Sequence, residues 1–106
     1  MLKNQFHEEL ITAAKKLILY TPHAIKQMNS EERMITTYEV EQIIFKGKII
    51  ENYPDDKRGH SCLKSGKVSG RHIHVICAPK EEYLAIITAY IPNEKKWKKN
   101  FTQRMF

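Results

Sequence analysis

Three places in this chain bring together side chains able to move protons or hold a phosphate. The first is His23, which follows Thr21-Pro22 at the start of a short helix. A helix N-terminus lowers the basicity of a nearby histidine and attracts phosphate, so a neutral His23 is placed to accept a proton. The same position also suits a capping or core-edge histidine. The second is Arg71-His72-Ile73-His74-Val75-Ile76-Cys77 on a strand, where alternation puts His72, His74 and Ile76 on one face and Arg71, Ile73, Val75 and Cys77 on the other. From the head of that strand Arg71 can reach round the sheet edge to a phosphate as a bidentate donor. The third is Thr88 with Tyr90, two apart and so on one face of the last long strand. Their neighbours Ile86, Ile87, Ala89 and Ile91 are apolar, so the two hydroxyls need partners. A tyrosine here can act as a general acid or stack on a base.

A metal centre is a weaker fit. His60, Cys62, His72, His74 and Cys77 lie in or near one hairpin, and its register decides which of them meet. A two-residue turn at Ser69-Gly70 sets Cys62 across from Cys77, whereas a longer loop sets Cys62 across from His74. Zinc wants four ligands converging from one side, and alternation separates His74 from Cys77. Asp55-Asp56 are adjacent in a turn, which suits neither magnesium nor acid–base pairing. The expectation is therefore no metal and no cofactor, with both cysteines as buried thiols.

The net charge of +6 in 106 residues is concentrated at one end: residues 91–106 carry five basic groups and one acidic group. The run Lys95-Lys96-Trp97-Lys98-Lys99 sets cations around an aromatic ring, an arrangement that suits a polyanion with stackable bases. It also suits a solvated tail. No apolar run approaches the ~20 residues that a membrane span needs. The N-terminal residues lack a signal-peptide apolar region and include Glu8 and Glu9, so the expected location is the cytoplasm.

These groups need a scaffold, and the spacing of apolar residues predicts an α+β domain. Phe6, Leu10, Ala13, Ala14 and Leu17 form a helical stripe, after which Ile18-Leu19-Tyr20 continues the helix or starts a strand. Thr21 is an N-cap with proline at the first helical position, and Ala24, Ile25 and Met28 are expected to face inward. Thr36-Thr37-Tyr38-Glu39 reads as a capping box, with Ile35 and Val40 as its hydrophobic staple and Gly47 closing the helix. From Lys48 the period becomes strand-like: Lys48–Tyr53, then His60–Lys67 and Arg71–Ala78 as a hairpin, then Tyr83–Ile91 ending at Pro92. Short connections imply that consecutive strands are antiparallel neighbours. The expected fold is a single domain over 1–106 with N-terminal helices packed on a four-stranded antiparallel meander. It divides into a helix over 1–19, a core over 20–91 and a basic C-terminal tail over 92–106.

Several of these segments together carry a resemblance. They are Thr21-Pro22-His23-Ala24 with Met28, the Thr36–Gly47 helix, Ile50-Glu51-Asn52-Tyr53-Pro54-Asp55-Asp56-Lys57-Arg58-Gly59, Gly70-Arg71-His72-Ile73-His74-Val75, Thr88-Ala89-Tyr90-Ile91-Pro92 and Trp97. Over residues 20–97 the chain resembles the bacterial domain-of-unknown-function family numbered 4258. The family pattern has an arginine before the methionine of the first motif; Gln27 stands there in this chain, with Lys26 and Arg33 nearby. The resemblance implies a RelE-like and BrnT-like fold and the toxin half of a type II toxin–antitoxin pair, with a cognate antitoxin as protein partner. It further implies metal-independent cleavage of RNA through the ribose 2′-hydroxyl by basic and phenolic side chains on a sheet. The residues expected to act are His23 or His74 as base, Arg71 on the phosphate, Tyr90 as acid or stacking ring, and Thr88 as a positioning group. Lys57, Arg58, Lys95, Lys96, Trp97, Lys98 and Lys99 are expected to hold RNA. The alternative is a non-catalytic module of the same fold that binds nucleic acid or protein.

Overall fold

The chain is described by a computed structural model over residues 3–30, 32–98 and 100–105. It runs α1 (Lys3–Lys16), β1 (Ile18–Tyr20), α2 (Pro22–Met28), α3 (Thr37–Lys46), β2 (Lys48–Tyr53), β3 (Ser61–Val68), β4 (Arg71–Pro79), β5 (Leu84–Tyr90), β6 (Trp97–Lys98) and β7 (Gln103–Arg104). Strands β2 to β5 form the expected antiparallel meander, but the sheet has five strands in the order β1-β5-β4-β3-β2 and is mixed. The apolar run after α1 supplies the fifth. Leu17 still donates to the Ala13 carbonyl, yet its own carbonyl accepts from the Leu84 amide at 2.8 Å. Ile18–Tyr20 then lies parallel to β5, opposite Leu84–Ile86. Three residues are too few to show a period, so the sequence left this segment open between helix and strand.

Helices cover one face of the sheet. Phe6, Leu10, Ala13 and Ala14 of α1, Ala24 and Met28 of α2, and Val40, Ile43 and Ile44 of α3 pack on Cys62, Ile73, Val75, Cys77, Leu84, Ile86 and Ala89. Two expected core residues stay outside: Leu17 is 50% exposed because the chain has left the helix there, and Ile25 is 48% exposed on the outer side of α2. Among the described residues, no helix is long and apolar enough to cross a membrane.

Local chemistry fixes the helix ends. Thr21 Oγ1 accepts from the Ala24 amide at 3.0 Å and donates to the Ile87 carbonyl at 2.9 Å, which caps α2 and pins it to β5. Thr36 and Glu39 form the reciprocal capping box of α3, with bonds of 3.1 and 2.9 Å. Thr36→Ala should therefore lower stability by about 1 kcal/mol, read as a fall in the urea midpoint at unchanged slope. At the other end a Cβ on Gly47 would lie 2.6 Å from the Ile43 carbonyl and 2.7 Å from that of Ser65, so only glycine lets α3 run straight into β2. Buried Lys64 donates to the Ile44 carbonyl in the last turn of α3 and lies 3.2 Å from His7 Nε2. A cation at a helix C-terminus meets an unpaired carbonyl and the favourable end of the dipole.

The β3–β4 turn has two residues, Ser69 at φ 55° and Gly70 at φ 77°, which suits the twist of a tight hairpin. It places Cys62 opposite Cys77 and Ser65 opposite His74. The two thiols lie 3.9 Å apart within the helix-side core. Their mutual bond, followed by burial, pushes the Cys77 thiol well up, so it stays protonated.

Candidate functional site

The polar chemistry gathers on the sheet face that the helices leave open. Alternation along β4 sends His72, His74 and Ile76 to that face, while Ile73, Val75 and Cys77 enter the core. A register shift after Ile76 turns the end of β5 so that Ile76 lies opposite Thr88 and His74 lies opposite Tyr90. On the other side His74 neighbours Ser65, and Glu51 and Tyr53 of β2 lie across from Leu63 and Ser61. A bulge between Ile49 and Glu51 aligns those two side chains with the open face.

The segment expected to be a basic tail folds over this face as a small hairpin, in which β6 pairs with β7. The Phe101 carbonyl lies 2.6 Å from His74 Nε2, and since a carbonyl only accepts, Nε2 carries the proton. Nδ1 is then an acceptor, 3.2 Å from the Tyr90 hydroxyl that donates to it. The Trp97 indole meets the His74 ring edge-on at 4.5 Å. Arg104 lies 4.7 Å above the Trp97 ring and donates to both oxygens of Glu51, at 2.6 and 3.0 Å. The Tyr53 hydroxyl also donates to Glu51. The result is one connected set, Tyr53–Glu51–Arg104–Trp97–His74–Tyr90, with the Phe101 ring tilted at 45° against His72, centroids 4.7 Å apart.

Electrostatics gives each member a defined state near neutral pH. Burial drives the His74 pKa down to about 4, more strongly than the Phe101 carbonyl and the Glu51 charge pull it back, so the ring is neutral. Burial alone would raise the Glu51 carboxyl, but bonds from Arg104 and Tyr53 and the Arg104 charge outweigh it and leave the group ionised. Desolvation raises the Tyr90 phenol, and desolvation with the Glu51 bond lifts that of Tyr53 to about 12, so both keep their protons.

Residues 20–91 match the sequence profile of DUF4258, a domain of unknown function. The chain belongs to that family. No curated protein and no solved structure matches it. The DUF4258 span contains Glu51, Tyr53, His74 and Tyr90, whereas Trp97, Phe101 and Arg104 lie beyond its end.

The residues singled out in the sequence fall in different places around the DUF4258 sheet. His74 and Tyr90 are partners, and Thr88 shares their face one pair further along. His23 is exposed on α2, whose buried residues join the opposite, helix-side core. Arg71 also turns to the helix side, where it donates to both oxygens of Glu39 at 3.0 Å and to the carbonyls of Arg33 and Met34. Arg33 in turn donates to Gln27, so a guanidinium does reach the position where the family pattern has arginine. Lys95, Lys96 and Lys98 are exposed, but Trp97 is 5% exposed and its ring is taken up by His74 and Arg104. Lys57 and Arg58 are exposed in the β2–β3 connection, with Arg58 paired to Asp56. Lys99 lies outside the described residues. Sequence reading did not assign roles to Glu51, Tyr53 or Arg104; the alternation of Glu51 and Tyr53 was a visible signal, but nothing local ties Arg104 to a strand 53 positions away.

A neutral buried histidine makes the fold sensitive to acid. The His74 pKa is about 4 in the folded chain against an ordinary 6.5, so the unfolded chain takes up the proton first as pH falls. Its contribution is intact above pH 6.5, declines down to about 4 and then levels. Over that window the loss is about 3 kcal/mol, at 1.36 kcal/mol per pH unit. Urea midpoints between pH 7 and 4.5 should fall accordingly, and His74→Gln should remove most of the slope. His7, also lowered by its own burial and by Lys64, adds to the slope, as do the depressed Glu39 and Glu51 carboxyls toward its acid end. A wild-type slope that persists in His74→Gln would show that His74 is charged in the folded state.

Proposed function

We propose that this DUF4258 protein is a metal-independent endoribonuclease of the toxin type, kin to RelE-like and BrnT-like toxins, acting at the Glu51–Arg104 end of the open sheet face. The observation that carries this reading is that an ionised carboxylate, a guanidinium and protonated phenols share one connected network. Those are the groups that RNA transesterification needs. Glu51 takes the proton from the ribose 2′-hydroxyl, and the 2′-oxygen attacks phosphorus. Arg104 balances the charge that grows on the phosphoryl oxygens. The bond from phosphorus to the 5′-oxygen breaks, and a phenol, Tyr53 or Tyr90, protonates the leaving oxygen. The products are a 2′,3′-cyclic phosphate and a 5′-hydroxyl. Exposed Lys95, Lys96 and Lys98, with Lys57 and Arg58 at the far end of β2, supply contacts to neighbouring phosphates. A cognate antitoxin would be the natural protein partner, and the bacterial cytoplasm the natural setting.

In this reading His74 is a positioning residue, because it is fully buried with both ring nitrogens engaged. That observation also favours a second reading, in which the network only fastens the C-terminal hairpin and the domain binds nucleic acid or protein without cutting it. Induced expression of wild type, Glu51→Gln and Arg104→Ala, with total RNA examined, separates the two. Growth arrest and RNA breakage by wild type alone supports the enzyme. Intact RNA in all three at matched soluble expression leaves the binding module.

A further inference from the structure

Residues 92–98 and 100–105 lie across the open face as a layer of their own. Among the described residues, strands β6 and β7 pair with each other and with no strand of the main sheet. Among the described residues, the contacts that hold this hairpin down include hydrogen bonds with residues placed in the site, between the Phe101 carbonyl and His74 and between Arg104 and Glu51, and the Phe101 ring against His72. Trp97, edge-on to His74, is its buried aromatic anchor. At its turn two consecutive non-glycine residues have left-handed backbones, Asn100 at φ 60° and Phe101 at φ 65°. Asparagine tolerates that conformation, but a bulky phenylalanine is disfavoured in it. A segment with one buried ring, exchangeable polar fasteners and a disfavoured turn sits at the low-stability end of a fold, where local opening precedes global unfolding.

We propose that residues 92–98 and 100–105 form a strap that lifts from the sheet as a unit, and that single-stranded RNA enters by taking the strap's place over His74 and Glu51. The choice of RNA rests on the function proposed above; the lifting does not. Closed, the strap shields His74 and ties Arg104 to Glu51, so the two groups assigned to phosphate and base neutralise each other. Open, it frees Arg104 for a phosphate and carries Lys95, Lys96 and Lys98 to the same strand. The strap is thus both the cover of the site and its cationic arm.

Trp97 is the chain's one tryptophan and reports on the strap directly. Acrylamide quenching of Trp97 is followed through a urea titration beside far-UV circular dichroism. Quenching should rise several-fold before the far-UV signal moves, and sooner in His72→Ala, which removes the ring under Phe101 but leaves His74, Glu51 and Arg104. Coincident transitions in both proteins overturn the strap. Affinity for a 2′-O-methyl RNA oligonucleotide, which cannot be cut, is measured alongside by fluorescence anisotropy. A cover that must open lowers apparent affinity by the fraction open, so His72→Ala and Phe101→Ala should each bind several-fold tighter than wild type. Equal or weaker binding by both variants overturns the gating role. A wild type that shows early Trp97 exposure but no oligonucleotide binding keeps the strap and removes RNA as its displacing ligand, and with it the proposed function.

Discussion

With the proposed ribonuclease activity, Glu51→Gln is expected to slow single-turnover cleavage of an RNA oligonucleotide by two to four orders of magnitude, roughly the range that a positioned general base supplies. Glutamine keeps the shape and can still meet Arg104 and Tyr53, but it cannot take a proton from the 2′-hydroxyl. Arg104→Ala should cost about two to three orders of magnitude through lost charge stabilisation. A substrate with deoxyribose at the cleaved position should resist wild type completely, and the products should carry cyclic phosphate ends. The pH profile of kcat/KM decides between carboxylate and imidazole as base, because it reports groups of the free enzyme. Arg104 and Tyr53 hold the Glu51 carboxyl below the usual carboxylate range, so the rate should be flat from pH 6 to 8. An acid limb centred near 6.5 would instead assign the base to a histidine. Cleavage by Glu51→Gln within a few-fold of wild type removes Glu51 from the chemistry.

The parts of this fold legible in the sequence are those that local chemistry dictates. Thr21-Pro22 and Thr36-x-x-Glu39 announce two helix starts because unpaired amides there demand an oxygen acceptor. Ser69-Gly70 admits the two-residue turn, and that turn fixes which of the cysteines and histidines lie across from one another. The pairing of His74 with Tyr90 depends further on the register shift beside Ile76. Alternation alone gives the faces of β4 but not the partner that each face meets.

The rest depended on tertiary placement. Ile18-Leu19-Tyr20 becomes a strand only because the β5 backbone is there to accept it. The charge of residues 91–106 suited either a polyanion-binding segment or a solvated tail, and in the fold Trp97 and the Phe101 carbonyl both meet His74. A buried histidine needs partners for two ring nitrogens, and the sheet offers one, the Tyr90 hydroxyl; the chain's own end supplies the other. The same logic explains why Glu51 finds Arg104: a half-buried carboxylate on a sheet face requires a cation, and the strap brings one across.

Arg71, whose type suggests a phosphate contact, is held in an ion pair on the helix side, and its removal is expected to be costly in stability rather than in rate. Its guanidinium holds both oxygens of Glu39, whose side chain is 6% exposed, and two carbonyls in the loop ahead of α3. Burial would raise the Glu39 carboxyl, but the Thr36 amide and Arg71 more than reverse this, so the group stays ionised. Arg71→Ala strands that charge beside the capping box. Breaking a buried pair from one side costs about 3–5 kcal/mol; with the Arg71 side chain one-third exposed, the expected loss is about 2–3 kcal/mol. The urea midpoint should fall accordingly. Adding Glu39→Gln should return part of the loss, because glutamine keeps the capping box and leaves no orphan charge. At a temperature where Arg71→Ala is still folded, RNA cleavage should stay within a few-fold of wild type. A folded Arg71→Ala protein that has lost cleavage by two orders of magnitude or more would instead place a phosphate contact at the head of β4. The chemistry would then have to reach round the sheet edge to the helix side.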